Sequence, residues 1–498
     1  MLDLYIAGLP LVFHPFTLLM MALGVFAGIV IGALPGLSAV MGVAILVPMT
    51  YGLNAESGIL MLIGVYIGAV YGGSISATLI NIPGTSSAVM TTLDAYPMAK
   101  KGQAGRALGM ATSASFIGGV FSVFVLMFAS PLIASVALRF TSIEMFFITL
   151  MGIAMMAYIA EGSLLKGLMS GVIGLLLATV GADPMTSYLR YDLGVLELST
   201  GVEFIPAMIG LFGLTEMILQ CFKKQEKATI IQKIDKVLPS LADLKSTFFI
   251  MMRSSVIGVI VGAIPGTGAT IAAIVAYGQE KRLSKHPERL GTGCIEGIAA
   301  AESSNNACTG GAMTTLISLG IPGDSVTAIL IGAFMVHGLR PGPTLFQENF
   351  QLVSAIFIGL LVANVFMLIL GLLCCRMFAK ILSIPPALLS AAIVSLCFIG
   401  AFAVRNSYFD MCQMFFFGLF GVALSKCGIP RTPLVLGLIL GPLAESNLRR
   451  SITLYGMGSE FLGAILKSPI AIIVLVITIV ILLFPLFQKN NKHVGSEV

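Results

Sequence analysis

A chain of 498 residues that is 57% hydrophobic and 10% charged, with a mean hydropathy of +1.01, offers too little polar surface for water and must be solvated by lipid. Its formal charge of +5 is small for this length and its basic residues fall in short loops, so nucleic acid is excluded as a partner and positive loops report topology. Runs such as IAIIVLVITIVILLFPLF at 470–487 are apolar on every face, which excludes the alternating strands of a transmembrane barrel. The reading is an all-α polytopic membrane protein of about 10–12 transmembrane segments.

The N-terminal MLDLYIAGLPLVF has no Lys or Arg and no small-residue cleavage site, so it is expected to be retained and not removed as a signal peptide. The first apolar run breaks at ALPGLS (33–38), and Asn81-Ile-Pro-Gly-Thr-Ser-Ser87 interrupts the second. The one long polar stretch runs from Lys223 to Lys245 and carries six Lys. Beyond it the pattern returns: GVIVGAIPG at 258–266 matches GIVIGALPG at 28–36 in five of nine positions, and the other four exchange one aliphatic residue for another. Tyr277-Gly278 answers Tyr51-Gly52, and Gly320-Ile-Pro-Gly323 answers Asn81-Ile-Pro-Gly84. Three motifs in one order at a near-constant offset make an internal repeat. We divide the chain into a first membrane repeat (1–221), a cytoplasmic polar linker (222–247) and a second membrane repeat (248–498).

Lys and Arg in short loops set orientation. The linker, the loop Gln279 to Leu290 and the segment Lys100 to Arg106 are basic, whereas their counterparts Leu53 to Ser57 and Gly338 to Pro343 carry no base and one Arg. The two repeats are therefore expected to have inverted topology, as in many secondary transporters. Inversion places the C-terminus outside, while Lys489, Lys492 and His493 argue for inside, so its side stays open. Phe249 to Tyr277, basic on both flanks, reads as a re-entrant hairpin with ALPGLS as its twin from the opposite face. The two Ile-Pro-Gly segments, with contrasting flanks, read as discontinuous helices.

Unpaired backbone in hydrocarbon costs several kcal/mol per group, so such breaks persist only around a protein-lined or wet cavity. Four breaks are expected to converge there. Pro and Gly stop each half-helix, and Ser38, Thr85 with Ser86, Thr267 with Thr270, and Ser325 are expected to cap the next. Half-helix N-termini hold an anion with backbone N–H groups. The expected substrate site is thus Pro35, Gly36 and Ser38; Asn81, Pro83, Gly84, Thr85 and Ser86; Pro265, Gly266, Thr267 and Gly268; and Pro322, Gly323 and Ser325. Asn305 and Asn306 join it as ligands or act as interhelical hydrogen-bond partners. Asp324, with Asn306, is read as a candidate for cation coupling slightly ahead of a helix cap. Glu296 and Glu302 are expected to be interfacial and solvated, and Tyr51, Tyr71 and Tyr277 to be packing anchors. The eight cysteines lack CxxC spacing and read as small apolar residues; no structural metal and no cofactor are expected.

With AYPMAKKGQAGR (95–106) behind Asn81-Ile-Pro-Gly-Thr85, and AESSNNA (301–307) before Gly320-Ile-Pro-Gly-Asp324, the chain resembles the large membrane subunit (TctA type) of the tripartite tricarboxylate transporters over essentially its whole length. It departs at Ala95 and Ala301, where that family often has Gly and Pro. The resemblance implies a bacterial inner-membrane carrier that works with a small four-helix membrane subunit and a periplasmic solute-binding protein, and takes up tri- or dicarboxylates driven by Na⁺ or H⁺. Alternating access is expected, with an elevator-like slide of the hairpins against a scaffold that includes Met145 to Ala160 and Ala355 to Leu373. A homo-oligomer is compatible with the chain. The opposing reading, an intramembrane aspartyl protease, rests on Tyr191-Asp192 and Pro-Gly-Asp324. Tyr191-Asp192 lies in a polar loop beside Arg190, the second motif lacks its first Gly, and no HExxH, GxSxG or Walker A motif is present. The chain is expected not to be an enzyme.

Overall fold

A computed structural model of the chain describes residues 5–159, 164–183, 185–222, 234, 237–382 and 386–488. After a single turn at Leu9–Val12 the first half runs α1 (Pro15–Ala33), α2 (Ala39–Leu46, extended by a 3₁₀ turn to Thr50), α3 (Ala55–Ile80), α4 (Val89–Lys100), α5 (Ala104–Ala137), α6 (Ser142–Ile159), α7 (Leu164–Ala178) and α8 (Phe204–Phe222). The second half runs α9 (Leu241–Ala263), α10 (Gly268–Leu283), α11 (Ile295–Leu319), α12 (Ser325–Val336), α13 (Phe350–Ile381), α14 (Pro386–Arg405), α15 (Tyr408–Lys426), α16 (Thr432–Tyr455), α17 (Ser459–Lys467) and α18 (Pro469–Gln488). Apart from a two-stranded antiparallel ribbon pairing Gly181–Ala182 with Leu189–Arg190, the described regular structure is helical.

Among the described residues eight helices are long and apolar enough to cross a membrane, or nine if the pair α17–α18, bent by 97°, is one span. The protein is an all-α polytopic membrane protein. Three further apolar helices, α2, α7 and α12, fall short of that length, because Pro and Gly divide two of these regions into half-helices. The polar stretch from Lys223 lies largely outside the described residues, as do Ala160, Lys489, Lys492 and His493. Its last residues, Leu241 to Lys245, are already the first turn of α9, which starts at a capping box between Ser240 and Asp243.

α3 and α11 form the centre, buried along almost their whole length. α1 packs along α3 and α9 along α11, and the sequence allows it through glycines four residues apart. A Cβ on Gly24, Gly28 or Gly32 would overlap the carbonyl oxygens of Met61, Val65 or Ala69. On the other side Gly258 and Gly262 meet the carbonyls of Ser304 and Cys308 in the same way. Without a hydrophobic drive between helices in lipid, the van der Waals packing that such close backbone approach allows helps hold them together. The halves interleave: α5 lies on α11, and α13 lies on α3.

The breaks after α1 and α9 have one geometry. Leu34 and Ile264 both sit at φ −85°, ψ 115°, and Gly36 and Gly266 at φ 89° and 87°, a region open to glycine at no steric cost. The helices before the Ile-Pro-Gly breaks end in the left-handed region at Asn81 (φ 59°) and Gly320 (φ 71°), the two residues that most readily adopt it.

Candidate functional site

The four breaks meet around one cavity of about 310 Å³. Each contributes the first residues of the helix that follows: Ser38 with α2, Thr85 to Ser87 ahead of α4, Gly268 to Thr270 in α10, and Asp324 with Ser325 at α12. Gly266 and Thr267 complete that wall, and the Gly266 N–H donates to the Gly323 carbonyl at 2.7 Å, which ties the third break to the fourth. Thr270 donates to Ser86 at 2.9 Å, joining one half of the chain to the other at the cavity edge.

Of the residues expected from the sequence, Ser38, Thr85, Ser86, Gly266, Thr267, Gly268, Asp324 and Ser325 line the cavity. Pro35, Gly36, Asn81, Pro83, Gly84, Pro265, Pro322 and Gly323 do not line it; they belong to the turns behind it. A Cβ on Gly84 would overlap the Gly32 carbonyl oxygen, and one on Gly323 that of Gly262. These glycines let the breaks rest on α1 and α9. Asn305 and Asn306, buried in α11, are also outside the lining. The Asn305 side chain donates to the Ser87 carbonyl at 3.5 Å and Asn306 donates to Asn305 at 2.8 Å.

The expected caps are partly corrected. Ser38 accepts from the Met41 N–H at 3.1 Å and caps α2 as foreseen. Thr85 instead shares a hydrogen bond with the Ser87 hydroxyl. Thr267 turns back and donates to the carbonyls of Val261 and Ile264, closing the end of α9 and leaving the start of α10 uncapped by side chains. The cap of α12 is Asp324, which accepts from the Thr327 N–H at 2.8 Å in a capping box, while Ser325 reaches Thr432 at 3.4 Å. Local chain direction decides this: Asp324 is extended, the conformation a cap requires, and Thr267 is already helical.

Three features escape a reading by motif. Tyr66, in the middle of α3, lines the cavity and donates to Asp324 at 2.5 Å. Thr432 brings a fifth helix N-terminus, that of α16, with Pro430 beside it. Neither follows a pattern in the sequence, although Arg431-Thr-Pro resembles a helix start. Glu302, expected to be solvated, is fully buried, because α4 and α5 both cover this face of α11. Tyr71 and Tyr277 are buried anchors: Tyr71 shares a hydrogen bond with Thr112 and Tyr277 donates to Asp94, both at 2.8 Å.

Among the described lining residues there is no Lys, Arg or His, and Asp324 is the sole carboxylate. The donors that face the cavity are helix N-termini and hydroxyls, a set that suits a small anion bound without a fixed cation. The volume is at the low end of the roughly 300–1,000 Å³ common for small-molecule sites.

A family model described as "Tripartite tricarboxylate transporter TctA family" matches residues 18–436. A protein of Agrobacterium vitis named "Uncharacterized 52.8 kDa protein in TAR-I ttuC' 3'region" is 35% identical over 486 residues, covering 97% of this chain and 96% of that protein. A second from the same organism, "Uncharacterized protein in TAR-II ttuC' 3'region", is 34% identical over 244 residues, 48% of this chain and 99% of that protein. No solved structure matches. The chain belongs to the TctA family: it is the large membrane subunit of a tripartite tricarboxylate transporter, a multi-pass protein of the bacterial inner membrane.

Proposed function

We propose that the chain imports a di- or tricarboxylate by cation-coupled alternating access, with the solute bound among the helix N-termini at the four breaks. The observation that carries this reading is the convergence of those N-termini on one cavity that lacks basic side chains. A carboxylate there receives N–H and O–H donors in a low-dielectric setting, where each is worth more than in water. Ser38, Thr85, Ser86, Thr270 and Ser325 are the hydroxyls best placed to orient it. Two inverted repeats supply the pairwise breaks, and their matched backbone angles at Leu34 and Ile264 support that origin. Because residues after both Pro-Gly tips line one cavity, the tips travel with the solute in an elevator-like slide of α1–α2 and α9–α10 against a scaffold that includes α6 and α13. Na⁺ or H⁺ supplies the drive, and a periplasmic binding protein and a small membrane subunit complete the assembly.

The test is counterflow of labelled carboxylates in proteoliposomes holding the full assembly, with Na⁺ and pH varied separately. Saturable exchange of a tri- or dicarboxylate, weakened by Ser86→Ala and Thr270→Val by the roughly 2–13-fold of one hydrogen bond, supports the site. Exchange that is absent for every carboxylate, or indifferent to both variants, overturns it. Single-Cys variants Ser38→Cys and Thr267→Cys, labelled from either side, test the movement: equal accessibility in all conditions indicates a channel.

A further inference from the structure

Glu302 lies two turns into α11, fully buried, and accepts hydrogen bonds from Thr91 of α4 and from Ser115 of α5 at 2.9 Å. Among the described residues no Lys, Arg or His pairs with it. Asp324 is held differently: its carboxylate meets a backbone N–H at the positive end of α12. Glu302 has neither a helix end nor a backbone donor among its partners. A lone buried carboxylate in this position carries a large desolvation cost when charged, which a bound cation relieves.

A second feature points to the same place. Asn305 and Asn306 lie three and four residues on, on the same face of α11, and the Asn306 side-chain oxygen is buried without a hydrogen-bond partner. Asn305 touches both Glu302 and the Ser87 carbonyl, and Ser87 lines the cavity.

The ionisable groups on the helices around α11 are otherwise occupied or lie toward the helix ends. Asp94 of α4 holds loop N–H groups and Tyr277 of α10. Arg106 of α5 pairs with Asp243 of α9 at 2.6 Å, and Arg253 of α9 pairs with Glu280 of α10. Tyr71 and Tyr66 of α3 bond Thr112 and Asp324. Glu56 is in the first turn of α3, Glu296 in the first turn of α11, Lys100 with Tyr96 in the last turns of α4, Lys281 and Arg282 in the last turn of α10, and Lys245 near the start of α9.

We infer that Glu302, with Thr91, Ser115 and the Asn305–Asn306 pair, is the site of a single bound positive charge, a proton or Na⁺, separate from the solute cavity and joined to it through Ser87. The inference rests on the carrier reading above and names its coupling site. When Glu302 is charged and empty it opposes an anion in the cavity; the bound cation removes that repulsion, and linkage makes the effect mutual.

The experiment uses the full chain purified in detergent and needs no carboxylate. Radioactive Na⁺ binding and the infrared band of protonated carboxyl groups are measured for the wild type, Glu302→Gln and Asp324→Asn. Saturable Na⁺ binding that falls at least tenfold in Glu302→Gln and persists in Asp324→Asn assigns Na⁺. No Na⁺ binding, with a carboxyl band lost in Glu302→Gln, assigns the proton. If Glu302→Gln does not fold by gel filtration, Ser115→Ala keeps the acid and is expected to shift cation affinity by roughly 2–13-fold, the worth of one hydrogen bond. Identical binding and spectra in Glu302→Gln and the wild type, or in Ser115→Ala where that variant replaces it, overturn the inference. In proteoliposomes, Na⁺ or acid is expected to tighten the carboxylate by roughly 5–150-fold in the wild type and not in Glu302→Gln. Counterflow that keeps its full cation dependence in Glu302→Gln defeats this site and leaves the carrier standing, whereas no counterflow in the wild type defeats the carrier.

Discussion

Asp94 joins the two halves of the chain, and its removal tests that joint. The fully buried carboxylate on α4 accepts from the N–H groups of Gly291 and Gly293 at 2.9 Å, from that of Cys294 at 3.0 Å, and from the Tyr277 hydroxyl at 2.8 Å. In Asp94→Ala the N–H groups of exposed Gly291 and half-buried Gly293 recover water, whereas Cys294 and Tyr277 are buried and do not. Two stranded donors at roughly 1–3 kcal/mol each give a loss of about 2–6 kcal/mol. Asp94→Asn keeps an oxygen for the three N–H groups and lets Tyr277 accept from the amide. It forfeits charge assistance and costs about 1–2 kcal/mol. Tyr277→Phe removes one bond, about 1 kcal/mol, and is expected to be non-additive with Asp94→Ala by roughly 0.5–3 kcal/mol. Denaturant unfolding of the purified chain in mixed micelles measures all four. The reasoning fails if Asp94→Ala stays within about 0.5 kcal/mol of the wild type, the range of a neutral surface change, or if Asp94→Asn is as damaging as Asp94→Ala.

Gly84→Ala and Gly323→Ala place a methyl against the Gly32 and Gly262 carbonyls; each is expected to cost about 1–3 kcal/mol and most of the uptake, while Gly52→Ala and Gly278→Ala, which meet no atom within 4 Å, leave uptake in vesicles intact. Ser38→Ala removes the cap of α2 and should lower stability by about 1 kcal/mol in the same unfolding assay, with Ser38→Thr restoring most of it. Asp183, in the loop after α7, accepts from the N–H groups of Thr186 at 2.9 Å and Met185 at 2.8 Å and lies 2.8 Å from Arg449, which together hold its carboxyl down from 3.8 to about 2. Its folded value is depressed, so its contribution is complete above about pH 3.8 and vanishes as pH falls through about 2. Asp183→Asn should flatten that part of an acid-stability curve, and an unchanged curve would refute the assignment.

The helical membrane class and the places where helices stop were legible in the chain itself. Fully apolar runs permit only helices in lipid, Pro ends a helix because it lacks an N–H, and Asn81 and Gly320 occupy the left-handed ends that their chemistry favours. The glycine spacing of α1 and α9 likewise foretells close packing, though not on which partner. Tertiary structure decided what lies opposite what. Thr432 at the cavity, Tyr66 on Asp324, Asp94 on the 291–294 loop and the burial of Glu302 under α4 and α5 all join positions far apart in the chain. Of the two caps that local chemistry offered for α12 the structure has Asp324 and not Ser325, and it turned Thr267 toward the end of α9. Local chemistry sets where a backbone may turn, whereas the partner of a buried polar group depends on how the helices pack, which no single stretch of residues encodes.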